Sequence, residues 1–322
     1  MRHSWGSATF VIAAAAVATL SVLGVAPALS APPPVEAFAR LPKAKGGSIA
    51  PDGRHLAVRV EQDGRYVMTV FAYDGDSLAA VRGFTEDDEF GTNWVEWMNA
   101  DRLLVSVRFA ARRYGTPTTE TRLLSATTDG FKLKPMFRPE DGALPEQIQD
   151  NIVSFLPKDP DHILVQYINT GRWPSVYRVK ADSTRHRLAQ GYRRGVLSWG
   201  ADQDGDVRYG YGSKDNNQPY MVMRPKTSKQ WIDYSYLRMT PGREFRLAAF
   251  SSEPDEIYAI SNHDQEPSGL FRFNVATGEF GELVFRHPTA DVAGVIMDRV
   301  DGSLRGVWYS GDEPQVYWYD ER

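Results

Sequence analysis

Beyond residue 45 the apolar positions fall in short runs rich in Val, Tyr, Phe and Trp, broken by Asp, Gly, Pro and Asn. Runs of that length with alternating polarity read as β-strands, and their punctuation reads as turns. Upstream, "VEAFARLP" predicts one short helix. One unit then recurs: an apolar strand, a turn holding an aspartate, and a second strand. It appears as "GSIAPDGRHLAVRV", "NWVEWMNADRLLVSVRF" and "NIVSFLPKDPDHILVQYI", then as "GVLSWGADQDGDVRYGYG", "FRLAAFSSEPDEIYAIS" and "AGVIMDRVDGSLRGVWYS". The turn aspartates are Asp52, Asp101, Asp161, Asp204, Asp255 and Asp301. Their spacing wanders around about 50 residues, the range of propeller blades rather than of shorter solenoid repeats.

A second hairpin separates successive copies of the first, as in "YVMTVFAYDGDSLAAVRGF", "SVYRVKADSTRHRLA" and "GLFRFNVATGEFGELVF". Two hairpins per period make four strands, which is one blade. The predicted fold is therefore an all-β propeller of four-stranded blades spanning residues 46–322, about six recognisable and the last incomplete. "EPQVYWYDER" matches the third strand of a blade with no fourth after it. Such an edge would leave backbone N–H and C=O groups unpaired, which predicts a natural chain that continues past Arg322. It also predicts a tendency to aggregate.

The repeat decides how Gly46-Gly47-Ser48-Ile49-Ala50 is read. These residues fall one short of G-x-S-x-G, the turn that carries the nucleophile of α/β-hydrolases. That turn joins a strand to a helix, whereas Ser48 precedes a Pro51-Asp52-Gly53 turn and another strand, "HLAVRV". Pro sets φ, Asp accepts backbone hydrogen bonds and Gly permits positive φ, so the segment is turn chemistry. Ser48 is architecture.

Composition narrows the setting. Arg2 and His3 precede the apolar run "ATFVIAAAAVATLSVLGVA" and then "PALSAPPP". A cationic start, an apolar core and small residues form a secretory signal over residues 1–30, with cleavage after Ala28 or Ser30. Residues 31–45 read as a Pro-rich spacer with the short helix. The expected location is periplasmic or secreted, with no membrane contact once the signal is removed. With no cysteine, the chain has no disulfide, thiolate metal site or cysteine nucleophile. The net charge is −4 with Lys and Arg dispersed, which argues against nucleic acid as a partner.

The signal, "VEAFARLPKAKGGSIAPDGRHLAV", "WVEWMNADRLLV" and "SVYRVKADS" together resemble the propeller half of secreted bacterial prolyl oligopeptidase-family serine peptidases. That group includes dipeptidyl-peptidase-like and acylaminoacyl-peptidase-like enzymes. The resemblance implies a propeller that caps an α/β-hydrolase domain and helps position peptides. It also implies that the catalytic Ser, Asp and His lie in that other domain. This sequence has neither a G-x-S-x-G nor a βαβα region to carry one, so no catalytic residue is assigned and no activity is expected of it alone.

Two clusters are candidates for substrate contact. Glu86, Asp87, Asp88 and Glu89 form the densest acidic run, in an inter-blade loop, and close carboxylates can hold a peptide ammonium. A solvated charged loop is the commoner meaning of such a run. Arg112 and Arg113 in "FAARRYGTPTTE" read as part of a long loop and could fork onto a peptide carboxylate. "ADQDGD", with Asp202, Asp204 and Asp206, departs from the EF-hand order and coincides with a blade turn, so no metal is assigned. No cofactor is expected. The expected partners are a peptide, through an associated hydrolase domain, or a protein. The competing reading is a free-standing periplasmic propeller that binds proteins, as in Tol-system translocation. A sugar hydrolase would need an acid pair in the central channel, which sequence does not place.

Overall fold

The computed structural model describes residues 42–86, 89–129, 131–137, 146–168, 171–299 and 301–319. The expected signal segment and most of the spacer lie outside them. The first blade is β1 (Ala44–Ile49), β2 (His55–Gln62), β3 (Arg65–Tyr73) and β4 (Leu78–Thr85). The second is β5 (Phe90–Asn99), β6 (Arg102–Arg113), β7 (Thr116–Thr127) and β8 (Lys134–Pro135). The third is β9 (Ile152–Ser154), β10 (His162–Tyr167), β11 (Ser175–Lys180) and β12 (His186–Gln190). The fourth is β13 (Val196–Ala201), β14 (Val207–Ser213), β15 (Pro219–Met223) and β16 (Ile232–Asp233). The fifth is β17 (Phe245–Phe250), β18 (Glu256–Ser261), β19 (Gly269–Asn274) and β20 (Glu279–Phe285). The sixth has three strands, β21 (Val292–Met297), β22 (Leu304–Ser310) and β23 (Pro314–Trp318).

Every sheet is an antiparallel meander in chain order. Neighbouring blades meet first strand to first strand, as β1 with β5, β9 with β13 and β17 with β21, so the first strands line the axis. Each of the six turn aspartates falls between the first and second strands of a blade. All such turns therefore gather at one end of the axis. The second-to-third turns and the inter-blade connections gather at the other.

In all six blades the pairing of the first two strands skips one residue, at Gly46, Asn93, Val153, Leu197, Ala248 and Ala293. Such bulges tighten the local twist, which lets inner strands converge on an axis.

Between blades lie buried apolar layers. Met68 and Val70 meet Val95 and Leu103, and Leu104 and Leu123 meet Ile163 and Val179. Leu164 and Val176 meet Val196 and Val222, while Met221 meets Phe245 and Phe273. Ile260 and Leu270 meet Val292 and Val307. These layers seal five seams. Among the described residues no buried cluster joins the sixth blade to the first. Ile49 on the first blade and Trp308, Val316 and Trp318 on the sixth are exposed. Each interior seam buries one face on either side, whereas among the described residues no such buried layer covers the outward faces of the first and sixth blades.

Close strand approach sets one sharp constraint. A Cβ at Gly212 would stand 2.0 Å from the Gly195 carbonyl oxygen, on backbone rather than on a movable side chain. Gly212→Ala is expected to lower stability by about 3 kcal/mol, the upper end for overpacking. Urea denaturation measures this; an unchanged midpoint would mean that the β13–β14 pair can move apart freely.

Candidate functional site

Both sequence-predicted clusters stand at one end of the second blade. Glu86 and Glu89 lie in the connection from β4 to β5; Asp87 and Asp88 fall outside the described residues. Glu86 faces Arg59, at 3.7 Å, whose guanidinium also donates to the Thr92 carbonyl. Arg112 and Arg113 lie not in a loop but on β6, which pairs with β7 out to Arg113↔Thr116. Tyr114 and Gly115 both have positive φ, 51° and 85°, and close a two-residue hairpin. Paired positive φ values match the twist of the flanking strands, and a Tyr-Gly pair is an uncommon way to achieve it. Since β5 begins at Phe90, opposite Phe109, the hairpin stands out past the blade by four residues on β6, about 13 Å. Tyr114, at the tip, is 94% exposed.

The base of this arm is braced by charge. Glu120 is buried and accepts from Arg113 Nε at 2.8 Å and Arg122 at 2.6 Å. Burial pushes the Glu120 carboxyl up, but the hydrogen bonds from Arg122 and Arg113 outweigh it and hold the group below its ordinary value. Arg122 also stacks on Phe109, with 5.0 Å to the ring centre. Arg113 thus serves the arm's own clamp, while Arg112 donates to the Gly115 carbonyl at the exposed tip.

Ser48 sits on β1 as architecture. Its hydroxyl donates to Glu96 at 3.1 Å and its carbonyl accepts from the Trp97 indole at 2.9 Å. Both contacts tie the first blade to the second.

The axis itself holds chemistry that sequence reading does not single out. A cavity of about 370 Å³ opens among the first strands of the second, third and fourth blades, walled by Trp94, Glu96, Asp150, Phe155 and Trp199. Asp150 accepts from Ser106 at 2.6 Å, Thr121 at 2.6 Å, Trp94 at 3.0 Å and Asn93 at 3.1 Å. Four neutral donors hold this carboxylate without a cation among them. The available signal is polar residues on first strands, whose axis-facing positions are not packed against a neighbouring blade.

Lys226 explains the "ADQDGD" turn. Its ammonium lies 2.9, 2.7 and 2.8 Å from Asp202, Asp204 and Asp206, supplying from within the chain the positive charge that such a cluster attracts. Burial alone would pull the ammonium down, yet its hydrogen bonds to Asp204, Asp206 and Asp202 hold it above its ordinary value. Hydrogen bonds from Lys158 and Lys226 lower Asp204 to about 2. A carboxylate depressed in the folded state contributes stability that is complete above its ordinary 3.8 and lost as pH falls towards about 2. Asp204→Asn is accordingly expected to flatten the acid limb of the stability profile over that window. Urea midpoints across pH check it, and an unaltered limb would remove Asp204 from acid unfolding. Asp204 is half exposed, so the effect is small.

Comparison with known proteins gives likeness of fold. No family model matches the sequence, and no curated protein matches it. Among solved structures, a study of two prolyl endopeptidases supplies a chain with a TM-score of 0.55 and 12% identity. That likeness covers 86% of this chain and 41% of the other. An acylaminoacyl peptidase in complex with a chloromethyl ketone gives 0.51 and 14%, covering 87% and 44%. Dipeptidyl peptidase 4 of Porphyromonas gingivalis gives 0.52 and 12%, covering 87% and 44%. The fold is a β-propeller that matches the propeller portions of these peptidase structures. The chain thus spans less than half the length of the structures it resembles. Within that fold, the acidic connection and the arginine-bearing arm mark one end of the axis, and the six aspartate turns mark the other.

Proposed function

We propose that this chain is the propeller region of an exported prolyl oligopeptidase-type serine peptidase. In this reading it restricts access to, and positions peptides for, an α/β-hydrolase domain encoded outside these residues. The observation that carries the reading is the lopsided coverage: 86–87% of this chain overlays 41–44% of three peptidase chains. The braced arm at Tyr114 supports it, since a rigid projecting hairpin is suited to contact what lies against that end of the ring. Arg112 at the tip, Glu86 and Glu89 in the β4–β5 connection, and Asp87 and Asp88 between them in sequence are the groups proposed to meet a peptide's charged ends. Arg113 acts by holding the arm. The signal-like N-terminus supports export to the periplasm or beyond.

The decisive experiment reads the genome immediately downstream. An in-frame region encoding G-x-S-x-G is expected, and its absence would overturn the reading. The purified chain is also expected to leave aminoacyl-dipeptide chromogenic substrates unhydrolysed. Turnover that a serine-directed inhibitor abolishes would show chemistry where this reading places none.

A further inference from the structure

At the end of the axis where the aspartate turns gather, the sixth blade does something its neighbours do not. Its first turn, between Met297 and Leu304, reaches across to three other blades. Arg299 approaches Glu96 of the second blade at 3.6 Å and lies over Phe155 of the third, 5.8 Å from the ring centre. Gly302 rests on Gln203 of the fourth so closely that a Cβ would fall 1.5 Å from the amide nitrogen. Beneath this crossing lies a second cavity, of about 400 Å³, with a mainly apolar wall that includes Trp97, Met98, Phe155 and Pro157.

Several features mark the cavity as a built site. Leu156, next to the lining residue Phe155, is held at a φ of +49° although it is a buried leucine, a conformation that costs energy. Arg299 makes no hydrogen bond among the described residues. Glu96 balances its charge from beyond hydrogen-bonding distance, so the guanidinium donors remain available. The side chain is also largely exposed, at 69%. The Gln203 side-chain amide likewise has no hydrogen bond among the described residues, although it lines the same cavity.

Apolar walls with a few convergent polar groups are the general pattern of a ligand site. Asn99, Ser154 and Asp202 also line the wall, and the Asp202 carboxylate is already neutralised by Arg208 and Lys226. The two polar groups left to a ligand are a planar cation, Arg299, suited to a carboxylate, and an amide, Gln203, suited to a peptide bond. The volume accommodates one large side chain with its flanking peptide.

We propose that this cavity binds the C-terminal residue of a peptide. An aromatic or leucine-sized side chain enters the Trp97–Met98–Phe155–Pro157 wall, Arg299 takes the terminal carboxylate, and Gln203 meets the last peptide group. The inference goes beyond the proposed peptidase role. It concerns the opposite end of the axis from the acidic connection and is measured with no hydrolase present.

The test is calorimetric titration of the full chain with N-acetyl-Gly-Phe as the free acid, the same peptide as its C-terminal amide, and 3-phenylpropionate. The free acid is expected to bind with a Kd of about 0.01–1 mM, and the amide at least about tenfold more weakly. Equal binding of acid and amide, or no binding of the acid at about 5 mM, would overturn the proposal. Phenylpropionate binding as tightly as the peptide acid would overturn the peptide assignment, because it lacks the amide that Gln203 is assigned to meet. Arg299→Met keeps an aliphatic stem over Phe155 and is expected to erase the preference for acid over amide. Persistence of that preference in a variant with an unchanged melting temperature would equally refute the role given to Arg299. The acid-against-amide comparison needs no variant, so a misfolded mutant does not blunt it.

Discussion

Asp202→Ala is expected to destabilise the propeller by about 3–5 kcal/mol, the range for leaving a buried charge without its partner. Asp202 and Arg208 are both nearly inaccessible, at 7% and 3% exposure, and meet at 3.2 Å. The carboxylate also accepts from the backbone N–H of Asp204 at 3.1 Å and of Asp206 at 3.0 Å, so it shapes the turn as well as neutralising the arginine. Without it, Arg208 retains the Arg224 carbonyl, which accepts from its Nε at 3.0 Å, Phe250 below its guanidinium, 5.2 Å to the ring centre, and Asp255 at the edge of ion-pair range, 4.0 Å away, but no close carboxylate. Its Nη2 already lacks a hydrogen-bond partner among the described atoms, so little remains to offset desolvation. Lys226→Ala removes a partner that is itself partly solvated, and its loss is expected to be the smaller of the two. Urea denaturation of both variants gives the comparison. Equal losses would mean that the surface lysine, not the buried arginine, sets the energy of the hub.

The second large effect concerns the sixth blade. The unmodified chain is expected to self-associate at about 10–100 μM, as chains with uncovered apolar strands do. Val316→Lys with Trp318→Lys is expected to leave it monomeric. The register explains the choice. Val316 opposes Trp308 and Trp318 opposes Gly306, so Trp308, Val316 and Trp318 share the face turned away from the fifth blade. Tyr317 points the other way, towards Phe285, and is left in place. Each of the first five blades carries a fourth strand where, among the described residues, β23 has none beside it. Two lysines add charge to both that face and the open edge, a device natural sheets use to prevent pairing between molecules. Sedimentation velocity on the two proteins decides the matter. A monomeric parent at the upper concentration, or a double variant that associates as strongly as the parent, would show that this edge is not the adhesive surface.

Much of this architecture is legible in the residues alone. Strand–turn–strand units predict all six first hairpins, because a turn needs local chemistry, Asp to accept backbone donors and Gly or Pro to set φ, that shows in single residues. The interleaved hairpins emerge for the same reason. The structural role of Ser48 follows likewise, since it depends on the turn and strand that come after it. The arm is the exception. "FAARRYGTPTTE" lacks the Asn-Gly or Asp-Gly that usually announces a two-residue hairpin, so its strand positions resemble loop.

Local alternation and turn residues, then, were enough to specify a meander of blades and its period, because those signals act over a few neighbouring residues. Which side chains meet across the axis was settled by ring geometry instead. Arg299 reaches residues about 140 and 200 positions earlier in the chain because radial packing converts a phase within a repeat into a place on a circle. Asp150, at the start of the third blade, found its four donors on the second blade, whereas Lys226 met its three carboxylates within the fourth blade, brought together by the pairing of β13, β14 and β15. No spacing along the sequence encodes those encounters, so the groups that carry the candidate chemistry became visible only when the first strands were gathered round one centre.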